Sequence, residues 1–258
     1  MLSKTLSGGK TLLCGHRGAC GIAPENTLVS FRKALELGAD FIEFDVQLSA
    51  DGVPIIFHDD TLARTTDKGG RHFPDELTLA QLKALDAGSW FNRQFTGTQI
   101  PTLDEVLDEF GGCIGLNIEI KSRPGENPAN GIEAKVAEAV ASRDLYANTI
   151  VSSFDPARLT RLHTLNSRIA IGLLVTGRAR DYPRGMTPWL LAERIGAKAF
   201  HPPYKIVDAA LVAEAHARGL SVNTWTVNDK RKASQMLELG VDMVMGNFID
   251  ELKAASGD

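Results

Sequence analysis

The side chains able to move protons or hold cations fall at a few positions of the 258-residue sequence. His16 and Arg17 follow the apolar run "TLLC", Glu43 and Asp45 lie in "FIEFDVQL", His58 closes "VPIIFHDD", and Asn117, Glu119 and Lys121 alternate in "NIEIK". Glu43, Asp45 and Glu119 make a three-carboxylate oxygen set suited to Mg2+ or Ca2+. Salt bridges to Arg17 and Lys121 are the competing reading. Two cations cannot neutralise three close carboxylates and also stay free for an anion, which favours the metal. His16 and His58 are the candidate acid and base, imidazole being the side chain that titrates near neutral pH. A lone histidine at a strand end is ordinarily a hydrogen-bonded core residue; two beside carboxylates point to chemistry.

Other reactive side chains read differently. Trp225 in "NTWTVND" either covers the carbon part of a ligand or fills the core, and His201 in "AFHPPY" either lines the pocket or belongs to a stiff turn. His72, His163 and His216 are expected on the solvated surface. Cys14, His16 and Cys20 lack the second close cysteine pair that would complete a soft-metal site. The Gly-Gly pairs at 8–9, 69–70 and 111–112 fit no phosphate-loop fingerprint and read as turns.

The elements that must position these residues alternate between short apolar runs and segments of helical period, the pattern of βαβ units. Strands are expected at 11–15, 41–47, 53–58, 113–120, 149–153, 168–174, 198–201, 221–227 and 241–245, with helices such as 26–37, 131–142, 156–165, 208–217 and 231–239. In "LELGADFIEF", "AERIGAKAF" and "LELGVDMVM" a glycine follows the last helical turn, where it can take the left-handed conformation that ends a helix. One strand has no helix before it: "SADG" is a tight-turn signal, so 53–58 should fold back antiparallel on 41–47. A fold about 50–52 sets position 57 opposite 45 and 58 opposite 44, bringing His58 beside Glu43 and Asp45, which share one face of their strand. Residues 59–112 form a long polar excursion holding the helix "TLAQLKAL", of the kind that serves an active site. The fold expected is a single (β/α)8 TIM barrel over 1–258, with a β-hairpin extension after its second strand and a small excursion over the C-terminal rim, where active sites of this fold are built.

The bulk composition narrows the partners. The chain is 43% hydrophobic and 23% charged, long enough for one large core. A net charge of -4 gives no general attraction to polyanions, so no nucleic acid partner is expected and any phosphate site must be local. The N-terminal residues lack the apolar core of a signal peptide and no stretch is long enough to span a membrane. Three cysteines suit reduced thiols. The expectation is a cytoplasmic protein with no integral membrane association and with its oligomeric state open.

With these residues in view, the sequence resembles the glycerophosphodiester phosphodiesterase family, particularly its short cytoplasmic bacterial members, through "GHRG", "APENT", "IEFDVQLSADGVPIIFHDD", "NIEIK", "SSFDP" and "WTVND" in the family's order. The resemblance implies that His16 and His58 are the general acid-base pair, that Glu43, Asp45 and Glu119 bind a divalent cation, Mg2+ or Ca2+, and that Arg17 and Lys121 contact phosphate. It further implies that Trp225 lines the glycerol side, with Glu25 and Asn26 orienting Arg17, although a helix-start role explains those two equally well. The end departs from the pattern: "MVMGNFID" has Asn247 but no proline after it.

The activity this implies is metal-dependent hydrolysis of glycerophosphodiesters to sn-glycerol 3-phosphate and an alcohol. Two rivals stand beside it. A phospholipase-type lyase would stop at a cyclic phosphate and would need a greasy surface, for which only "DAGSWF" offers material. A ligand-binding barrel without chemistry is disfavoured because every proposed position carries a competent side chain.

Overall fold

The computed structural model describes residues 9–123, 125–127, 129–177 and 186–257. Nine strands form one sheet: β1 (Leu12–Gly15), β2 (Phe41–Leu48), β3 (Pro54–Ile56), β4 (Gly115–Ile120), β5 (Thr149–Ser153), β6 (Ala170–Leu174), β7 (Ala199–His201), β8 (Ser221–Thr224) and β9 (Met243–Gly246). All but β3 run parallel, and β1 pairs with both β9 and β2, so the sheet closes into an eight-stranded barrel. β3 pairs antiparallel with the distal half of β2, Val46 facing Ile56 and Leu48 facing Pro54. The strand stops before His58, but the register continues as expected, since the Phe57 amide donates to the Asp45 carbonyl at 2.9 Å.

Around the barrel lie α1 (Leu28–Glu36), α2 (Leu79–Lys83), α3 (Leu103–Phe110), α4 (Ile132–Ser142), α5 (Pro156–Leu165), α6 (Pro188–Arg194), α7 (Ala209–Ala217), α8 (Lys230–Glu238) and α9 (Ile249–Ser256). The three expected exit glycines have left-handed backbones: Gly38 at φ 79°, Gly196 at 73° and Gly240 at 74°. Helix α3 corrects the sequence reading, which left 103–110 inside the excursion. Thr102 caps it by accepting from the Glu105 amide while the Glu105 carboxylate accepts from the Thr102 amide, and Leu103, Val106, Leu107 and Phe110 are its buried face. Those residues join the large core between barrel and helices, where Phe31 of α1 lies 5.8 Å from Phe110, edge to face, and 5.6 Å from Phe44 of β2. Truncating so buried a ring to alanine costs about 3–5 kcal/mol.

Inside the barrel, Leu12, Cys14, Phe41, Ile150, Met243 and Met245 form a separate apolar plug. His201, wholly buried, shares a 3.1 Å hydrogen bond with Asn223, and a Cβ at Gly172 would stand 2.5 Å from its Nε2, so only glycine fits there. The excursion carries its own small core of Ile55, Phe57, Leu62, Leu82, Ala87 and Ile100, which anchors it to the hairpin.

Two histidines expected on the solvated surface are only partly exposed and make contacts within the fold. His216 Nε2 meets the Asp242 carboxylate at 2.7 Å, and the same carboxylate accepts the Val222 amide at 2.8 Å, tying α7 to β8 and β9. His163 packs against Gly196 with its Nδ1 buried. Among the described residues no helix is long and apolar enough to cross a membrane.

Candidate active site

The first βα loop is built by close approach. The His16 amide donates to the Gly246 carbonyl at 2.9 Å, and Gly18 turns back on Gly15 at 3.1 Å. Between them Arg17 has a left-handed backbone, φ 52°, which for a non-glycine residue costs about 1–2 kcal/mol. That twist aims the Arg17 amide at the Glu43 carboxylate, 2.8 Å away. Asn26 is also left-handed, φ 56°, and its side chain donates to Asp45 at 2.8 Å. Thr27, not Glu25 or Asn26, caps α1 by accepting from Ser30. The helix-start alternative therefore falls away for those two, which face inward.

Strand alternation points Glu43 and Asp45 into the barrel mouth, and the parallel register sets Asp45 opposite Glu119. Ligand oxygens of Glu43, Asp45 and Glu119 all lie within 4.8 Å of one another. Lys121 Nζ stands 3.0 Å from Glu119 and 3.4 Å from Asp45, and Arg17 Nε is 3.4 Å from Asp45. The competing ion pairs thus exist, but they converge on Asp45 and leave Glu43 without a cationic side-chain partner among the described residues. Burial, then the charges of Asp45 and Glu119, pushes the Glu43 carboxyl well up, and burial raises Glu119. For Asp45 burial acts upward too, but Lys121, Arg17, His58 and the Asn26 bond outweigh it and bring it to about 2. A buried trio in which two members resist ionisation is a donor set suited to a hard divalent cation. In the wider ring Glu25 and Asp59 add two carboxylates and Arg64 one cation, so carboxyl groups outnumber cationic side chains by two.

The two histidines have different partners. His16 Nδ1 lies 2.8 Å from the Asn247 side-chain oxygen, a neutral acceptor. Burial, reinforced by Arg17, pushes its pKa down to about 4. His58 Nδ1 lies 2.7 Å from Asp59, an ionised one. The Gln47 amide donates to the carbonyls of Phe57 and Asp59 at 3.0 and 2.9 Å, locking the backbone that carries His58. The "MGNFID" loop is tied to its neighbours: the Asn247 amide donates to the Asn228 side chain at 2.8 Å and its carbonyl accepts the Gly21 amide at 2.9 Å.

Arg17 Nη1 donates to Glu25 at 2.8 Å, while its buried Nε, 3.4 Å from Asp45, makes no hydrogen bond. Trp225 donates from Nε1 to the His201 carbonyl at 2.8 Å, and Phe154, 41% exposed, meets its ring edge to face at 5.6 Å. Trp225 therefore stands at the rim, packed on the edge of the apolar plug. His201 lies beneath it in the core rather than in the mouth. Lys121 begins a loop held by the buried Arg158, whose guanidinium bonds Ser122 at 2.7 Å, Glu133 at 2.9 Å and Glu126 at 2.8 Å.

His16, Arg17, Glu25, Asn26, Glu43, Asp45, His58, Glu119, Lys121 and Trp225 thus share one end of the barrel. Asn117 sits one step lower, its amide against Met245. Sequence reasoning passed over Asp59, Arg64 and Phe154. Asp59 stands in the "FHDD" motif and Phe154 in "SSFDP", but Arg64 is in an irregular loop where no periodicity marks it.

Residues 16–251 match the model of the glycerophosphoryl diester phosphodiesterase family. The chain is 39% identical to a glycerophosphodiester phosphodiesterase of Caldanaerobacter subterraneus subsp. tengcongensis over 92% of its own length and 93% of that protein's. It superposes on an Oleispira antarctica phosphodiesterase, solved with the product sn-glycerol 3-phosphate, with a TM-score of 0.79, 32% identity and coverage of 97% and 98% of the two chains. A glycerophosphodiester phosphodiesterase from Agrobacterium tumefaciens str. C58 gives a TM-score of 0.81 at 28% identity, covering 95% and 99%. The chain belongs to the glycerophosphoryl diester phosphodiesterase family and is a phosphoric diester hydrolase acting on glycerophosphodiesters.

Proposed function

We propose that this single-domain chain releases sn-glycerol 3-phosphate and a free alcohol through a histidine pair with divided duties, and that Glu43, Asp45 and Glu119 hold Mg2+ or Ca2+. When bound, such an ion supplies positive charge against the phosphate's developing negative charge. Arg17 and Lys121 grip the phosphate oxygens, Arg17 with a guanidinium whose Nε makes no hydrogen bond within the protein. Glu25 and Asn26 hold the loop that aims it. Trp225, with Phe154 beside it, covers the carbon skeleton of glycerol.

His16 is the base. The Asn247 side-chain oxygen takes its Nδ1–H, so Nε2 carries the lone pair, and burial keeps the ring neutral at physiological pH. His58 is the acid. Its Nδ1–H faces the Asp59 carboxylate, which compensates the positive charge of the ring until Nε2 gives its proton to the departing alcohol. The nucleophile that loses its proton to His16 is either the glycerol hydroxyl next to the phosphate-bearing carbon, with water opening the cyclic phosphate, or water itself. The observation that carries this assignment is the contrast between a neutral and an ionised partner behind the two imidazoles.

Kinetics of His16→Ala and His58→Ala on sn-glycero-3-phosphocholine test it. Each should lower turnover about 10²–10⁴-fold with little change in substrate binding, and the double variant should lose far less than the product of the two. Near-normal turnover in either variant removes that histidine from the chemistry.

A further inference from the structure

Arg64 lies outside every motif quoted above, in a turn of the excursion, yet its guanidinium makes four hydrogen bonds at the barrel mouth. Nε donates to Asp59 Oδ2 at 2.6 Å and Nη2 to Asp59 Oδ1 at 2.8 Å. The same Nη2 donates to Glu25 Oε1 at 2.7 Å, and Nη1 to Glu25 Oε2 at 2.8 Å. Each carboxylate it grips also serves a residue of the site: Glu25 Oε1 accepts Arg17 Nη1 at 2.8 Å, and Asp59 Oδ1 faces His58 Nδ1 at 2.7 Å. The result is one unbroken chain, Arg17–Glu25–Arg64–Asp59–His58, from the phosphate grip to an imidazole.

The backbone around Arg64 is fixed independently of these bonds. Leu62 is buried in the excursion's own core, its amide donates to the His72 carbonyl at 3.0 Å, and Thr66 donates back to the Leu62 carbonyl at 2.6 Å. A side chain needed only to pin the excursion down would be redundant with that core. Asp59, by contrast, has no guanidinium or ammonium partner but Arg64 among the described residues, and without it Asp59 would face Glu25 across a gap small enough for their ligand atoms and that of His58 to lie within 4.8 Å of one another. Two carboxylates at that separation repel, and with Arg17 left only on the Glu25 side, Asp59 is no longer held in place against His58.

Resting on the acid–base reading above, we propose that Arg64 is a positioning residue for general-acid catalysis: by holding Asp59 against His58 Nδ1 it keeps the His58 Nε2–H aimed at the departing alcohol. Planar, bidentate grips on two carboxylates at once are a task for guanidinium, which an ammonium cannot reproduce. Arg17 keeps its own bond to Glu25 when Arg64 is lost, so substrate affinity is little changed.

The test compares two esters of sn-glycerol 3-phosphate that differ in their need for an acid. The choline ester leaves as an alkoxide that must be protonated, whereas the p-nitrophenyl ester leaves as a phenolate that need not be. Arg64→Gln should lower kcat on the choline ester about 10–100-fold, the usual cost of removing an outer-shell partner, with KM within about threefold and kcat on the p-nitrophenyl ester within about threefold. Asp59→Asn should show the same split, and the Arg64→Gln/Asp59→Asn double should be no worse than the poorer single. If Arg64→Gln does not fold, Arg64→Lys serves instead, with a smaller loss split the same way. Equal losses on both esters, or none, overturn the proposal. A wild-type chain inactive on both esters, or His58→Ala lacking the split, strikes the acid–base reading instead.

Discussion

The side-chain oxygen of Asn247 and Nδ1 of His16 stand 2.8 Å apart, joining the last rim loop of the barrel to the first. A neutral amide orients the imidazole without adding charge, which leaves burial free to hold the ring unprotonated. Asn247→Asp replaces that amide by a carboxylate, and a negative charge at this distance favours imidazolium, raising the pKa of His16 by about 1–3 units. The pH below which kcat/KM falls should move upward by at least about one unit, read from a pH–rate profile. An unmoved acidic limb would show that His16 does not supply the base.

Glu43 gives a second expectation. Its carboxyl is pushed up by burial and by Asp45 and Glu119, so it burdens the metal-free fold, a burden that a cation held as proposed would relieve. Glu43→Gln should raise the melting temperature of the chelated protein or leave it unchanged. Added Mg2+ or Ca2+ should stabilise the wild type, by about 2.7 kcal/mol at a hundredfold excess over Kd, and the variant far less. Equal stabilisation of both proteins would take Glu43 out of the cation site.

Much of this site was legible because strand geometry is regular. Alternation alone sets Glu43 and Asp45 on one face, and the "SADG" turn fixes position 57 opposite 45, as the Phe57–Asp45 hydrogen bond bears out. What escaped has no period. Arg64 reaches the site from an irregular turn, and Phe154 from the residue after a strand. Helix α3 was hidden because its eight residues follow a loop whose polarity dominates the window, although "TLDE" carries the capping box that marks its start. His216 was misplaced because a helical position says nothing of Asp242, its partner across the fold.

His201 carries an expectation about stability. Burial pushes its pKa down to about 3 from an ordinary 6.5, and His16 is likewise pushed down to about 4. Below pH 6.5 the unfolded chain therefore binds protons that the folded chain refuses. The associated stability is complete above pH 6.5 and is lost as pH falls towards 4 and 3, by about 1.4 kcal/mol per pH unit for each histidine once well below 6.5. Denaturant unfolding between pH 6 and 4.5 should show this slope, reduced by about one proton in His201→Asn. An unchanged slope would mean that His201 takes up its proton in the folded state.

On the proposed reading, a cation held by carboxylates and a histidine pair together carry hydrolysis through to sn-glycerol 3-phosphate. The most direct measurement follows sn-glycero-3-phosphocholine by phosphorus NMR with the purified chain, first chelated and then supplied with Mg2+ or Ca2+. The expected course is no turnover after chelation, recovery with the added ion, and sn-glycerol 3-phosphate as the end product with any cyclic phosphate only transient. Full turnover by a metal-free preparation, or cyclic phosphate accumulating as the final product, would contradict it.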